Sequence, residues 1–126
     1  MTERNPDIEI YIKRAETTDV LAWLNTYFTK GAVEQSGEAT KVALKFDDQP
    51  LVCVVVPGAV KGGFTSICFE PNNTPWHDDE ACAVEAFEHF AQEVRCSTGG
   101  WTDEASDEGG WYRFTDNGRS VVNWLA

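Results

Sequence analysis

Four cysteines and two histidines are the residues of this chain best suited to nucleophilic, redox or metal chemistry. No two cysteines have the C-x-x-C spacing that is typical of zinc and redox sites. Cysteines without such a partner are most often buried thiols that pack as small apolar groups. If a hairpin turns at Val60-Lys61, two of them lie opposite each other on adjacent strands. The cysteines are Cys53, Cys68, Cys82 and Cys96, and the opposed pair is Cys53 and Cys68.

Cys82, His89 and Cys96 recur at intervals of seven residues, which places them on one face of a predicted second helix. Positions seven apart on a helix lie about 10 Å apart along its axis, and positions fourteen apart about 21 Å. A zinc ion needs its ligands at about 2.0–2.3 Å. One ion therefore cannot be held by all three side chains, and we assign no metal site and no cofactor.

His89 has Glu85 four residues before it and Glu93 four residues after it, so the predicted helix puts two carboxylates beside the imidazole. A histidine with two acids can serve as a general base or a metal ligand. On an exposed helix this arrangement is more often a solvated charge cluster, and we assign no catalytic residue. A hydrolase-like enzyme that uses carboxylates or His89 stays open as an alternative, because distances between acids are not visible in a sequence.

Common catalytic and phosphate-binding motifs are absent from the sequence, namely G-x-S-x-G, the P-loop and G-x-G-x-x-G. The sequence also has no apolar signal region near Met1 and no apolar run of membrane-spanning length. We expect a soluble cytoplasmic protein that makes no membrane contact. Its 126 residues should form a single α+β domain over residues 1–126, with residues 1–6 as a flexible tail.

Acidic residues dominate the charge, and they are unevenly distributed along the chain. The net charge is −11 at pH 7. Residues 1–69 hold nine acids and seven bases, whereas residues 70–126 hold twelve acids and three bases. Such a surface repels nucleic acid and attracts basic proteins. Solubility, or adaptation to a salty host, would explain the same composition without any partner.

The segment from Ser97 to Tyr112 contains Gly-Gly-Trp twice, with four acids and no base between the two tryptophans. Tryptophan and tyrosine supply large contact areas and are enriched in binding hot spots. Acids around them would steer a basic partner by long-range attraction. Packing of the tryptophans in the core is the competing interpretation. We predict a partner-binding surface formed by Trp101, Asp103, Glu104, Asp107, Glu108 and Trp111, with Trp76 at its border.

These observations favour a small, non-catalytic interaction or regulatory module that binds a basic protein partner through its C-terminal half. A nucleic-acid-mimicking inhibitor or immunity-type protein is an alternative, because it would also present an acidic interface. Neither hypothesis involves direct binding of nucleic acid by this chain. The last predicted strand, Ser120–Leu125, has an exposed edge that would allow a homodimer.

The elements that position these residues can be predicted from hydrophobic periodicity. Ile8, Ile10 and Ile12 alternate with polar residues, which predicts a strand with one buried face. The run Leu51–Val56 is apolar throughout and contains four β-branched residues. This run predicts a strand that is covered on both faces or lies at the centre of the sheet.

Two helices are expected in addition to the strands. The first is predicted between Thr17 and Gly31, and the second from a cap at Asp78 to about Arg95. Three strands between them should form an antiparallel meander, because their links are short and rich in glycine and proline. Asn117-Gly118 predicts a type I′ turn between the last two strands.

The predicted fold class is therefore α+β. We expect a two-layer sandwich with a mainly antiparallel sheet of about six to seven strands and both helices on one face, in the order β-αβββ-αβββ. A ferredoxin-like core is an alternative, since the order β-α-β-β-α-β is embedded in that series.

Overall fold

The computed structural model describes residues 6–60, 62–97 and 110–122, and of Val60 the backbone only. Within these ranges the chain forms an α+β fold. In chain order its elements are β1 (Ile8–Lys13), α1 (Thr17–Leu24), β2 (Thr29–Ser36), β3 (Ala39–Phe46), β4 (Gln49–Val60), β5 (Phe64–Glu70), α2 (Asp79–Phe90), β6 (Val94–Ser97), β7 (Trp111–Thr115) and β8 (Gly118–Val122). No helix in the described ranges combines the length and apolar character that crossing a membrane requires.

The strands form one antiparallel sheet in the order β2-β3-β4-β5-β1-β6-β7-β8. The first strand lies inside the sheet, where β1 pairs with β5 on one side and β6 on the other. Ile8, Ile10 and Ile12 are fully buried on one face, as the alternation predicts. The prediction of an antiparallel α+β fold with two helices is confirmed. The strand count of six to seven is wrong, because the described chain has eight strands in the order β-αββββ-αβββ.

Both helices pack on the same face of the sheet. Trp23 of α1 meets Phe90 of α2 with ring centroids 5.4 Å apart, and both helices contribute buried residues to one core. We call the opposite side of the sheet the helix-free face. The ferredoxin-like alternative describes only the inner strands, where β5 and β6 are joined through α2 and flank β1. The hairpins β2–β3 and β7–β8 extend this inner part to eight strands.

The additional strand is β2, in a region predicted to belong to the first helix. α1 ends at Leu24 instead of reaching Gly31, and β2 follows from Thr29. Phe28 is still buried, so the apolar stripe of the predicted helix points inward although its last turn is not helical. All eight residues of β2 are exposed, because it lies at the edge of the sheet beyond the helices. No alternation of apolar and polar residues therefore marks it in the sequence.

The second helix begins as predicted and ends earlier than predicted. Asp78 is its N-cap, and its carboxylate accepts a hydrogen bond from the Ala81 N–H at 2.9 Å. The helix stops at Phe90, where Ala91 adopts a left-handed φ of 57°. The chain then enters β6, so Cys96 lies in the sheet and not on the helix. The predicted helical face of Cys82, His89 and Cys96 is therefore wrong, since both of its cysteines are fully buried in the core.

The register between β4 and β5 separates the two cysteines that were expected to face each other. Cys53 pairs with Phe69, and Cys68 pairs with Val54. An irregularity between Val56 and Val60 shifts the pairing near the turn. Because a shift of one residue reverses the face of a side chain, Cys53 lies in the core while Cys68 lies on the helix-free face. The same alternation leaves Val52, Val54 and Val56 half-buried, so the apolar run is fully covered on one face only.

Two tight turns use positive φ angles at different positions. Asp47 and Asp48, between β3 and β4, have φ values of 53° and 65°, the pattern of a type I′ turn. The hairpin predicted at Asn117-Gly118 is present, since Thr115 pairs with Gly118. Its positive φ of 100° falls on Gly118, and Asn117 has none, so the predicted type I′ turn is wrong at this hairpin.

A hydrogen bond joins the chain after α1 to α2. The Tyr27 hydroxyl donates to Glu85 Oε1 at 2.9 Å. Burial and this bond to a carboxylate raise the pKa of Tyr27 to about 12. Because the pKa is higher in the folded state, this contribution to stability is complete below pH 10 and is lost as the pH rises through 12.

Tyr27→Phe is expected to lower the free energy of unfolding by about 1 kcal/mol, since the ring stays and only the hydroxyl is removed. Urea denaturation at pH 7 measures this loss. Glu85→Ala removes the acceptor and should reproduce most of it, and the double variant should lose little more than either single variant. Fully additive losses would contradict a direct interaction between the two side chains.

Candidate protein-binding surface

Two strands and a helix bring carboxylates to one end of the sheet, where inner strands begin and terminate. β1 begins and β5 ends there, because Ile8 pairs with Phe69. The backbone N–H of Glu9 donates to Asp79 Oδ1 at 3.2 Å, which holds the start of α2 against the start of β1. The first turn of α2 carries acids because they interact favourably with the N-terminal end of a helix. We call the resulting group the acidic edge, and it consists of Asp7, Glu9, Glu70, Asp78, Asp79 and Glu80.

Two nearby thiols show how closely these carboxylates are grouped. The pKa of Cys68 is raised to about 11, first by burial and then by Glu9, Asp7, Glu70 and Asp79 in that order. Four acids from three separate stretches of chain therefore act on one sulfur atom. The pKa of Cys96 is also raised, first by burial and then by the three acids at the start of α2.

Several carboxylates of the acidic edge face the solvent beside a group of ion pairs. Arg119 forms an ion pair with Glu80. Glu93 forms two more, since it lies 2.8 Å from Arg95 Nε and 3.1 Å from Arg113 Nε. At the acidic edge itself, Asp7, Glu9 and Glu70 are exposed. These three side chains present negative charge directly to the solvent.

The segment predicted to carry the binding surface is attached at this same edge. Ser97 at the end of β6 pairs with Trp111 at the start of β7, next to the start of β1. The chain therefore leaves and re-enters the sheet beside the acidic edge. Five of the predicted site residues lie outside the described residues, namely Trp101, Asp103, Glu104, Asp107 and Glu108.

Comparison with known proteins gives no match: no family model, curated protein or solved structure is significantly similar to this chain.

The two described tryptophans of the predicted surface lie in different environments. Trp111 is half-buried on the helix-free face, and its ring meets the Tyr11 ring edge-on at 5.8 Å. Trp76 is only 4% exposed and stacks on Trp23 with centroids 5.6 Å apart. A side chain with so little accessible area offers little to a partner. We therefore keep Trp111 at the rim of the surface and place Trp76 in the core.

The arrangement expected around His89 is not present. Its imidazole is exposed near the end of α2 and lies against Phe90, with centroids 4.7 Å apart. Glu93 follows the end of the helix and binds two arginines, while Glu85 accepts a hydrogen bond from Tyr27. Glu85 therefore lies four residues before His89 on the same helix, as predicted, while Glu93 is not placed as the predicted helix would place it. Within the described ranges, no three His, Cys, Asp or Glu side chains are arranged to hold a metal ion.

A shallow cavity of about 750 Å³ crosses strands β2 to β5 on the helix-free face. Its lining includes Gly31, Ala43 and Val52 together with the charged side chains of Lys45 and Glu70. The volume is within the range of small-molecule sites. Its lining contains no histidine or cysteine, and its ionisable side chains are Lys30, Lys45 and Glu70. The cavity therefore shares Glu70 with the acidic edge.

Sequence reasoning missed the acids that come from the first half of the chain. The alternation in β1 already places Asp7 and Glu9 on the face opposite the isoleucines. What the sequence does not reveal is that β1 pairs with β5, which brings Glu70 beside them. Asp78 was interpreted as the cap of the second helix and not as part of the surface.

Proposed function

We propose that this chain is a non-catalytic interaction module that binds a basic protein. Its binding surface consists of the acidic edge and the acidic segment of residues 98–109, whose flanking residues Ser97 and Trp111 lie beside that edge. The observation that carries the proposal is the convergence of carboxylates from β1, β5 and α2 on one edge, where three of them are exposed. The surface therefore draws on both halves of the chain and not on the C-terminal half alone.

Long-range electrostatics favours such a surface as a binding site. Clustered charges of one sign focus the field and accelerate the approach of an oppositely charged protein. Trp111 lies at the start of β7, beside the acidic edge. A half-buried aromatic side chain at the rim of the surface is suited to contribute contact area. Glu80 forms an ion pair with Arg119, whereas Asp7, Glu9 and Glu70 are exposed, so the charge of these three can act on a partner.

The proposal is tested by neutralising acids in two places and comparing capture of a partner from host lysate. The captured protein is identified, purified and titrated against each variant at low and high salt. We expect about tenfold or greater weakening by neutralisation at the surface, and a marked loss of binding as salt screens the charges. The surface variant carries Asp103→Asn, Glu104→Gln, Asp107→Asn and Glu108→Gln, a second variant carries Asp7→Asn and Glu70→Gln, and the control carries Asp19→Asn, Glu34→Gln, Glu38→Gln and Glu88→Gln at exposed positions elsewhere.

The control variant changes the net charge as much as the four-residue surface variant does. Equal weakening by both would mean that net charge alone governs binding, which would contradict a localised surface. Binding that is insensitive to salt would contradict the electrostatic basis of the proposal. Competition by DNA or RNA for the captured protein would identify that protein as a nucleic-acid-binding protein and this chain as its nucleic-acid-mimicking inhibitor.

A further inference from the structure

The last described strand, β8, has an open edge with regular backbone geometry. It pairs with β7 without interruption, from Trp111 and Val122 to Thr115 and Gly118. Among the described residues no strand pairs with its other side, since β8 is the terminal strand of the sheet. An edge of this kind presents backbone N–H and C=O groups that another strand can bind.

The two edges of the sheet differ in how well they can accept a further strand. At β2 the pairing with β3 is interrupted between Lys30 and Val33, an irregularity of the kind that blocks edge pairing. β8 has no such interruption, and its single charged side chain, Arg119, contacts residues of its own chain. Arg119 lies over the Tyr112 ring at 4.6 Å and forms an ion pair with Glu80. Its charge is therefore held against its own sheet and helix.

Apolar side chains border this open edge on the helix side. Val121 is 55% exposed and Val84 is 38% exposed, which makes them two of the exposed large hydrophobic residues of the described chain. Val84 lies one helical turn after Glu80, and Val121 lies two residues after Arg119 on the same face of β8. The ion pair between Glu80 and Arg119 therefore places both valines along the strip between α2 and β8.

We propose that the β8 edge binds the β8 edge of a second copy of this chain, as an antiparallel pair related by a two-fold axis at Ser120. In this register Ser120 faces the same residue of the second copy, and Arg119 faces Val121. Gly118 and Ser120 are small, so the two backbones can approach to strand distance. The exposed valines of the two copies are then diagonal neighbours and cover each other.

The charge distribution agrees with this arrangement. The acidic edge lies at the end of the sheet where β8 terminates, because Val122 pairs with Trp111 and Trp111 with Ser97. An antiparallel two-fold pair places the two acidic edges at opposite ends of the joined sheet. Each copy still carries a net charge of −11, so residual repulsion should weaken the dimer at low salt. Salt should therefore strengthen self-association, whereas it should weaken binding of a basic partner.

Sedimentation equilibrium of the full chain tests the dimer up to about 1 mM, because pairing of two short strands buries little area and weak association is expected. The unmodified chain should show a concentration-dependent dimer that increases with salt. Val121→Lys should give a monomer, since it places a charge at the centre of the contact. Val33→Lys is the matched control, because Val33 is 47% exposed on the opposite edge strand, and it should leave the dimer unchanged.

A second measurement tests the register directly. Opposed residues of antiparallel strands lie within disulfide distance, so Ser120→Cys should form a covalent dimer on mild oxidation. Ser36→Cys, at the edge of β2, should give no more covalent dimer than the unmodified chain. A monomer throughout the concentration range, or a dimer that is lost in Val33→Lys and kept in Val121→Lys, would overturn the proposal. Neither result bears on the acidic edge, whose test uses other variants and the opposite response to salt.

Discussion

Trp76→Ala is expected to lower the free energy of unfolding by about 3–5 kcal/mol, the range for removing a large aromatic side chain from a core. The indole is 4% exposed and stacks on Trp23 at 5.6 Å. Its ring also meets those of Tyr27 at 5.0 Å and Phe69 at 5.5 Å. Removing it leaves rigid aromatic neighbours around a cavity that they cannot readily fill. Urea denaturation followed by far-ultraviolet circular dichroism measures the loss.

Val84→Ala serves as the control for the Trp76 variant, because an exposed valine should contribute no more than about 0.5 kcal/mol. A loss below about 1 kcal/mol for Trp76→Ala would contradict its place in the core. Such a result would restore Trp76 to the partner-binding surface that the sequence suggested. Binding of the captured basic protein by Trp76→Ala should stay within about twofold of the unmodified chain at temperatures where the variant is folded.

The position of Trp76 shows why irregular segments are difficult to interpret from sequence. Two prolines and two asparagines around this tryptophan are typical of a surface loop. The segment is instead fixed internally, since the side-chain amide of Asn72 donates to the Trp76 carbonyl oxygen at 3.1 Å. Polar side chains that satisfy the backbone allow such a segment to direct one large residue into the core. Periodicity carries no information about this arrangement.

Several predictions that depended on local physics agree with the structure, although the type I′ turn predicted at Asn117-Gly118 does not. Alternation of the isoleucines placed β1 and its buried face correctly, and Asp78 is the predicted N-cap of α2. Predictions that depended on distant contacts were less accurate. The fully exposed β2 has no pattern to detect, and the helix was extended to Arg95 because Val94 continues the apolar stripe of α2. Val94 is buried as expected, but it is buried from a strand.

The acidic edge illustrates the same limit for the candidate site. The excess of acids after residue 70 is visible in the sequence, and it directed attention to residues 101–111. The contribution of Asp7 and Glu9 depends on the pairing of β1 with β5, two strands that are far apart in the chain. Sequence alone can therefore give the sign of the surface, while the sheet determines which carboxylates share it.

A second large effect is expected for the reactivity of the four thiols, which should react slowly or not at all while the chain is folded. Cys53, Cys82 and Cys96 are fully buried, so a thiol reagent should reach them only after unfolding. Cys68 is the partly accessible one, and its pKa is raised from the ordinary value of 9.0 to about 11. At pH 8 this reduces its reactive thiolate by about a hundredfold. The reaction with a chromogenic disulfide should therefore show one slowly reacting thiol in the folded chain and four reactive thiols after unfolding in denaturant.

The reaction rate of Cys68 also reports how close the carboxylates of the acidic edge lie to its sulfur atom. Because Glu70 contributes to the raised pKa, Glu70→Gln should increase the rate by about threefold, corresponding to about half a pKa unit. Added salt should increase the rate in the unmodified chain and less so in the variant, since fewer charges remain to be screened. Glu34→Gln removes the same charge from β2 and should leave the rate unchanged. Equal rates for Glu70→Gln and the unmodified chain would mean that the Glu70 carboxylate does not act on Cys68, which would contradict its place in the acidic edge.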